Sequence, residues 1–576
     1  MSDYSWRRIK KSLKRRLAER NERRNFEKWL ELHGSISAEQ RAEMRERIED
    51  FTHQPLISVI LPVYNVGEKW IRACIESVLD QIYENWELCI ADDCSPSPHV
   101  RKILSEYAAQ DKRIKVVFRD ANGHISAASN SALELANGEF CALLDHDDLL
   151  SANALFYVAQ EINNFPETDF IYSDEDMISE DGARHTPKFK PDFSLELLYS
   201  VNYATHLAVY RTSIVRKIGG FRVGLEGSQD YDLALRVIEQ IPENHIRHIP
   251  RILYHWRAIQ GSVALSGDEK PYAHERARDA IRLHLERTGK RAKVSQTVYN
   301  LHRVQYNLPT QLPKINLILL EKEDFAATAT AIKTLSEATD YQNLEIVVVC
   351  SAGAKARFDV ENPTRKAKII VCEAESEAEK YNAAVRQTNG AILCFIDGNL
   401  RPASSEWLKE MLGFAIQSEI GAVGAKILDA DETVRHGGII LGINDFIGYA
   451  HNGFPKDVGG NLGRAQVVNN FSATAIDCLA TRRDVFEKVS GFDAENFPNR
   501  LFDVDFCLKL REKNLRVVWT PHAELVQIDG RKLLNLQKTP TAAEREFFKE
   551  KWRNLIERDP FYNPNLSRRE PFMPQV

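Results

Sequence analysis

No stretch of this 576-residue chain approaches the run of about 20 apolar residues that a membrane-crossing helix requires. No Cys-x-x-Cys pair occurs, and the nine cysteines (74, 89, 94, 141, 350, 372, 394, 478 and 507) are scattered without adjacent histidines. That excludes a disulfide framework or zinc ribbon and suits a reducing compartment. Neither sign of charge dominates: 76 basic residues face 82 acidic ones, so nothing in bulk charge points to a nucleic-acid partner. The first residues are basic but lack the apolar core of a secretory leader. The expectation is a cytoplasmic protein, and its length favours two or more domains.

One local charge run stands out. Between Arg7 and Arg24 nearly every other residue is Lys or Arg, while Trp6, Ile9, Leu13 and Leu17 recur at helical spacing. Two readings stand for this basic helix within an arm of residues 1–54. It lies on an anionic membrane surface through 6–24, or it packs its apolar stripe on the next domain.

A polar helix from about Ser37 to Phe51 leads into the first α/β pattern. Leu56 to Asn65 is a continuous apolar run ending in a turn, as a strand buried on both faces of a parallel sheet reads. A helix over 70–82 follows, then strands at 86–91 and 114–118, a helix over 126–136, and a strand at 140–144. Strands alternating with crossover helices predict an α/β sheet whose ligands sit at the carboxyl ends of its strands. Tyr64-Asn65, Asp92-Asp93 and Asp145-His-Asp-Asp148 all fall at those ends.

The pattern then recurs. Lys314–Leu320 and Leu344–Cys350 read as the first two strands again, and Gly390–Asn399 mirrors Gly138–Asp147. Gly491-Phe492 followed by Phe502–Lys509 mirrors Gly220-Phe221 followed by Gln229–Arg236. A tandem duplication is the expectation. Its first domain covers 55–300, a proline-containing linker 301–312, a second domain 313–545 and a tail 546–576.

Transfer of a sugar from a nucleoside diphosphate needs charge neutralisation at the diphosphate, hydrogen bonds to the base, and a general base for the acceptor hydroxyl. Asp145 and Asp147, at the end of an apolar strand, offer hard oxygens to Mg²⁺ or Mn²⁺. Asp92 or Asp93 could accept from a nucleobase N–H; the alternative is a turn carboxylate. Of Asp230 and Asp232 at a helix start, one serves the helix terminus and the other, Asp230 by choice, is the general base. His255 is a candidate third metal ligand or a satisfied structural histidine, and Arg257 a candidate diphosphate partner. Tyr172–Asp176 reads as a donor-sugar wall or an acidic turn. Lys188 and Lys190 meet a lipid-diphosphate acceptor or solvate a loop.

Pro62-Val-Tyr-Asn65, Asp92-Asp93-Cys-Ser95, Asp145-His-Asp-Asp148 and Gln229-Asp-Tyr-Asp232 resemble the family 2 glycosyltransferases with the GT-A fold. Tyr172–Asp176, Lys188–Asp192 and Leu253–Arg257 narrow the resemblance to the tandem enzymes of bacterial O-antigen and capsule assembly, often called rhamnosyltransferases. The resemblance implies two tandem, Rossmann-like GT-A domains with mixed, mainly parallel sheets, and a metal-dependent, inverting transfer. The donor would be a nucleotide-sugar bound by Pro62, Tyr64, Asn65, Asp92, Asp93, Asn130, Asp145, Asp147 and Arg257. The acceptor would be a glycan or lipid-linked glycan, met at the inner face of the cytoplasmic membrane. Gln229 departs from the family's usual acid before the base.

The second repeat departs further. Val349-Cys-Ser-Ala352 replaces the base-binding acids, and Asp397-Gly-Asn399 replaces one charged metal ligand by an amide. Asp503 persists at the general-base position, so Asp397 and Asp503 are this half's candidates. The expectation is a weak or inactive half that binds acceptor or supports the first; the alternative is that both halves are active. A nucleotidyltransferase would show a Gly-rich basic loop after the first strand, which Pro62-Val-Tyr-Asn65 is not. A non-enzymatic glycan-binding scaffold would not need the first half's intact acids.

Overall fold

The computed structural model describes residues 20–259, 271–321, 325–361, 367–528 and 539–576. The stripe Trp6, Ile9, Leu13 and Leu17 lies outside these residues. A helix over 20–33 buries Phe26 and Trp29, with Trp29 packed edge-on against Phe189 at 5.5 Å. The helix Ala38–Glu49 begins on a capping box in which Ser37 and Gln40 satisfy each other's backbone N–H groups.

Nine strands form the first sheet: β1 (Ile57–Val63), β2 (Trp86–Asp92), β3 (Ile114–Phe118), β4 (Phe140–Leu143), β5 (Leu149–Leu150), β6 (Phe170–Ile178), β7 (Arg184–Lys188), β8 (Ala208–Arg211) and β9 (Ile246–Arg257). Their order is β3-β2-β1-β4-β8-β6-β9-β5, with β7 on β6. Every residue of β1 and β2 is buried, because helices cover both faces of this parallel core. The helix Glu68–Leu79 supplies one cover, burying Ile71, Cys74, Ile75 and Val78 on a single 3–4 spaced face.

A hairpin of β10 (Ala292–Gln296) and β11 (His302–Tyr306) precedes the second sheet. The expected linker therefore opens with a strand. His302, Val304 and Tyr306 are buried in alternation, the period of a half-covered strand. The second sheet contains β12 (Ile315–Leu320), β13 (Leu344–Cys350), β14 (Ala367–Val371), β15 (Ile392–Ile396), β16 (Leu400–Pro402), β17 (Ile420–Leu428) and β18 (Val434–His436). After a hairpin of β19 (Ile439–Leu441) and β20 (Ile447–Tyr449) come β21 (Asn469–Asn470), β22 (Cys478–Arg482) and β23 (Arg516–Gln527). The order β14-β13-β12-β15-β22-β17-β23-β16, with β18 on β17, repeats the nine strands of the first sheet, and β21 on β23 is a tenth without a counterpart there.

The likeness reaches single side chains. Ser58 donates to Glu87 at 2.6 Å and accepts from Gly138 N, while Asn316 donates to Glu345 at 2.7 Å and accepts from Gly390 N. A Cβ at either glycine would collide with that partner, at 2.6 and 2.4 Å. Both halves are mixed α/β sheets of one design, as the sequence pattern predicts.

One apolar cluster runs through both halves, including Leu197, Leu198, Val468 and Val518. Around it Arg516 grips the buried Glu196 with Nε and Nη2, and Ser194 Oγ donates to Asn470 at 2.7 Å. The helix Ala542–Lys551 crosses the expected boundary at 545, and the residues beyond it return to the first half. Asp192 N donates to Pro560 O at 2.7 Å, and Asn563 Nδ2 reaches both oxygens of Asp174 at 3.0 and 2.8 Å. Among the described residues, no helix is long and apolar enough to cross a membrane.

Candidate active site

The carboxyl ends of β1, β2 and β4 open on one crevice. Tyr64 is 46% exposed there, and Asn65 takes a left-handed φ of +46°. That turn is fixed by Ser95, whose hydroxyl accepts from Asn65 N at 2.8 Å, and by Ser97, whose hydroxyl donates to Asn65 Oδ1 at 2.5 Å. Asp92 and Asp93 are both buried at the end of β2. Asp93 accepts from Gly123 N at 3.0 Å and pairs with Arg119 Nε at 2.8 Å, so its orientation is set by the β3–helix turn. Among the described residues the Asp92 carboxylate receives only long contacts of 3.4 Å from Ser95 N, leaving it the less committed acceptor of the pair.

The turn after β4 carries the acids the sequence singles out. Asp145 exposes 45% of its side chain. Asp148 is buried and accepts from Tyr254 OH at 2.6 Å and Arg257 N at 2.7 Å. Burial, reinforced by the charges of Asp147 and Asp145, pushes the Asp148 carboxyl well above its ordinary range. Tyr254 OH also accepts from Asp145 N at 3.2 Å, so one phenol ties both ends of the turn to β9.

Among the described residues, one set of three potential metal ligands lies within 4.8 Å: Asp145, Asp148 and His206. Two carboxylates and an imidazole suit a hard divalent cation. The set differs from the expected Asp145, Asp147 and His255. His255 Nδ1 instead meets Asp176 at 2.6 Å, the carboxylate that also pairs with Arg184.

His206 was not legible as a site residue. It stacks on Tyr254 with centroids 4.6 Å apart, with Nε2 3.8 Å from Asp145 and Nδ1 3.4 Å from Glu175. Burial opposes its charge, but the carboxylates of Glu175 and Asp145 outweigh it and raise the imidazole to about 10. Glu175 stays well below the ordinary range despite burial, because Lys188 and Lys190 hold it at 2.5 and 3.0 Å. The stretch Tyr172–Asp176 is thus a buried strand, and the two lysines neither solvate a loop nor stand free for a phosphate.

Asp230 and Asp232 stand in different surroundings, and Asp232 serves two arginines rather than the helix terminus. Asp232 is fully buried between Arg222 and Arg236, the latter with Nε at 2.8 Å. Asp230, two positions back, accepts from Asn202 Nδ2 at 2.9 Å and Thr205 Oγ1 at 3.2 Å. Burial raises its carboxyl above the usual value, His206 opposes that, and Asp145 adds to it. Those mutual fields place Asp145, His206 and Asp230 in one electrostatic neighbourhood.

Several expected binders do other work. Asn130 spends its amide on the Phe221 backbone, donating to the carbonyl and accepting from the N–H at 2.8 Å each. Asn382 repeats this clamp on Phe492 in the second half. A clamp kept in both halves at the same topological point is a fold element rather than a donor contact. Arg257 is buried over Trp70, with Nε donating to Asp147 O at 2.7 Å, so it braces the turn. Pro62 lies within β1, its carbonyl 3.3 Å from His146 Nδ1.

In the second half Asp397 and Asn399 are 4% and 5% exposed, where Asp145 stands open. Asp503 is buried, accepting from Ile476 N and Val504 N, and burial pushes it up to about 6. Asp477, beside it, meets the buried His436 at 3.2 Å.

Residues 58–219 match the family described as glycosyl transferase family 2. The chain is 38% identical over 539 residues to an uncharacterized protein of Sinorhizobium fredii, covering 91% of this chain and 59% of that one. It is 31% identical over 532 residues to the O-antigen biosynthesis protein RfbC of Myxococcus xanthus, covering 91% and 41%. Against WcaA of Escherichia coli, named as a colanic acid biosynthesis glycosyl transferase, identity is 32% over 198 residues, 33% of this chain and 69% of that one. The chain thus spans about half the length of the first two relatives.

Proposed function

Since the chain belongs to glycosyl transferase family 2, we propose that its first half transfers a sugar from a nucleotide-sugar to a glycan or lipid-linked glycan in bacterial surface polysaccharide assembly. The observation that carries this reading is that His206 lies 3.8 Å from Asp145 while the charges of both bear on Asp230, which brings an exposed acid for the donor side and a buried acid of raised proton affinity for the acceptor side into one neighbourhood. Tyr64 offers a ring face to a nucleobase, and Asp92 an acceptor for a base N–H.

In this proposal the acceptor hydroxyl gives its proton to Asp230 as its oxygen attacks the anomeric carbon from the side opposite the departing nucleoside diphosphate. The configuration at that carbon inverts. A positioned base of this kind contributes roughly 10²–10⁴-fold. Asn202 and Thr205 fix the Asp230 oxygen that each bonds. Mg²⁺ or Mn²⁺, held from Asp145 with His206 and the neighbouring acids, would neutralise the leaving diphosphate. We further propose that the second half is weak or inactive as a catalyst, since Asp397 is buried where Asp145 is exposed and the base-binding acids are absent. Residence at the cytoplasmic face of the membrane is part of the same proposal, resting on the basic sequence 6–24.

Nucleotide release from a panel of nucleotide-sugars, with Mg²⁺ or Mn²⁺ and a crude glycolipid acceptor, tests the reading. Asp145→Ala and Asp230→Asn should each lower the rate by about 100-fold or more. A wild-type protein that releases nucleotide from no donor would sink it.

A further inference from the structure

A cavity of about 390 Å³ lies between the halves, within the roughly 300–1,000 Å³ span of small-molecule sites. From the first half it is lined by Glu175, Lys190 and Asn202, with Tyr299 from the β10–β11 hairpin; from the second by the loop Gly459–Gly463. Asn202 is the amide that bonds Asp230, and Glu175 lies on the far side of His206 from Asp145. One side chain, Asn202, thus stands between the cavity and the proposed base, and Asp145 is not among the lining residues.

Three observations fix the chemistry of its occupant. Asn202 Oδ1 is buried without a hydrogen-bond partner among the described residues, so an acceptor atom beside the base awaits a donor. Tyr299 is 63% exposed and is held by its hydroxyl, which donates to Asp457 O at 2.9 Å. A Cβ at Gly459 would come 3.3 Å from the Tyr299 ring, and one at Gly463 would come 2.7 Å from Leu301, so the loop's glycines allow it to press against this hairpin. Lys190 places its ammonium on Glu175, Thr205 O and His206 O, which occupies all three of its donors. No ammonium hydrogen of Lys190 is left for a phosphate, and Lys188, which also lines the cavity, spends its charge on Glu175 at 2.5 Å and on the Trp256 ring.

We propose that this cavity is the acceptor subsite, built by both halves. It takes an uncharged pyranose of the acceptor glycan, one face on Tyr299 and a hydroxyl donating to Asn202 Oδ1. The second half then serves catalysis as a wall of the first half's site. This rests on the transferase reading for the meaning of the subsite, but its test needs no turnover.

Saturation-transfer NMR on the full chain, with a panel of methyl hexosides and deoxyhexosides as probes, should show at least one glycoside binding. Tyr299→Ala should weaken that glycoside about tenfold, a loss of one stacking contact's size, and Tyr299→Phe should keep it within about twofold. Leu462→Trp, which fills the cavity from the second half, should weaken the same probe, with melting curves confirming that each variant folds. Equal signals from wild type, Tyr299→Ala and Leu462→Trp, including no signal from any of them, overturn the subsite. Glycoside binding lost in both variants, in a protein that releases no nucleotide, would keep the subsite and remove the transferase reading instead.

Discussion

Asn202 holds Asp230 by a 2.9 Å hydrogen bond from its amide nitrogen, while Asp232 on the same helix is closed between two arginines. Two acids two positions apart thus receive opposite environments. The arginine-bound one stabilises the Gly219-Gly220 turn through Arg236, which donates to Gly220 O at 2.6 Å. The amide-bound one keeps a raised proton affinity in the crevice.

That difference predicts a pH profile. Asp230 is neutral below its raised pKa and a base above it, so transfer should rise with pH along an acid limb higher than an ordinary carboxylate gives. His206 and Asp145 are the charged groups facing it, and Tyr210 and Tyr231 pack beside it. Asn202→Ala removes a bond to the charged form and should move the limb upward. Rates measured at saturating donor from pH 4 to 8 would show it; an unmoved limb assigns the titration to another group.

The paired clamps make a second prediction. Asn130→Ala and Asn382→Ala should each destabilise the fold by about 1–3 kcal/mol, because each strands two backbone groups of a buried turn. Donor affinity should be unaffected in both. Denaturant melts with donor titrations would decide, and a selective loss of donor binding in Asn130→Ala would restore that residue to the donor site.

Calorimetry of the intact chain should find one nucleotide-sugar site per molecule. Asp397→Ala should leave the stoichiometry and affinity unchanged, since Asp397 is buried in the second half. Two sites, or a site lost in that variant, would mean that both halves bind donor.

Asp503 offers a test through stability. Its folded pKa, raised by burial to about 6, exceeds the unfolded value near 3.8. The stabilisation linked to its proton is therefore complete below the unfolded value and is lost as pH rises through about 6, an effect of order 2–3 kcal/mol. Asp503→Asn cannot ionise, so its Tm relative to wild type should climb between pH 4 and 7. A pH-independent difference would place the charge in a wetter setting.

The crevice acids were legible because each follows an apolar run that only a buried parallel strand explains, as Asp145 follows Phe140–Leu144. The repeated strand order was legible for the same reason. His206 was not, since it lies in an aperiodic loop after Val201 and reaches Asp145 only when β8 pairs with β4. Asn130, His255 and Arg257 have partners within the fold that the motifs did not reveal, because a polar residue near a motif satisfies the backbone or a neighbouring acid as readily as a ligand. Asn130 serves Phe221, His255 serves Asp176, and Arg257 serves the Asp147 carbonyl. Strand β11 was not read from the sequence, although His302, Val304 and Tyr306 alternate, because the nearby prolines mark that stretch as a linker.

The last stretch of the chain reaches back across more than three hundred residues: Asn563 caps the buried Asp174, and Arg558 meets Asp192 at 2.9 Å. A late frameshift would therefore injure the first half, far from where it falls. Stripped of that amide, Asp174 would keep His248 and the Lys190 N–H but lose its lid, and the strand carrying Glu175 would loosen beside His206 and Asp145.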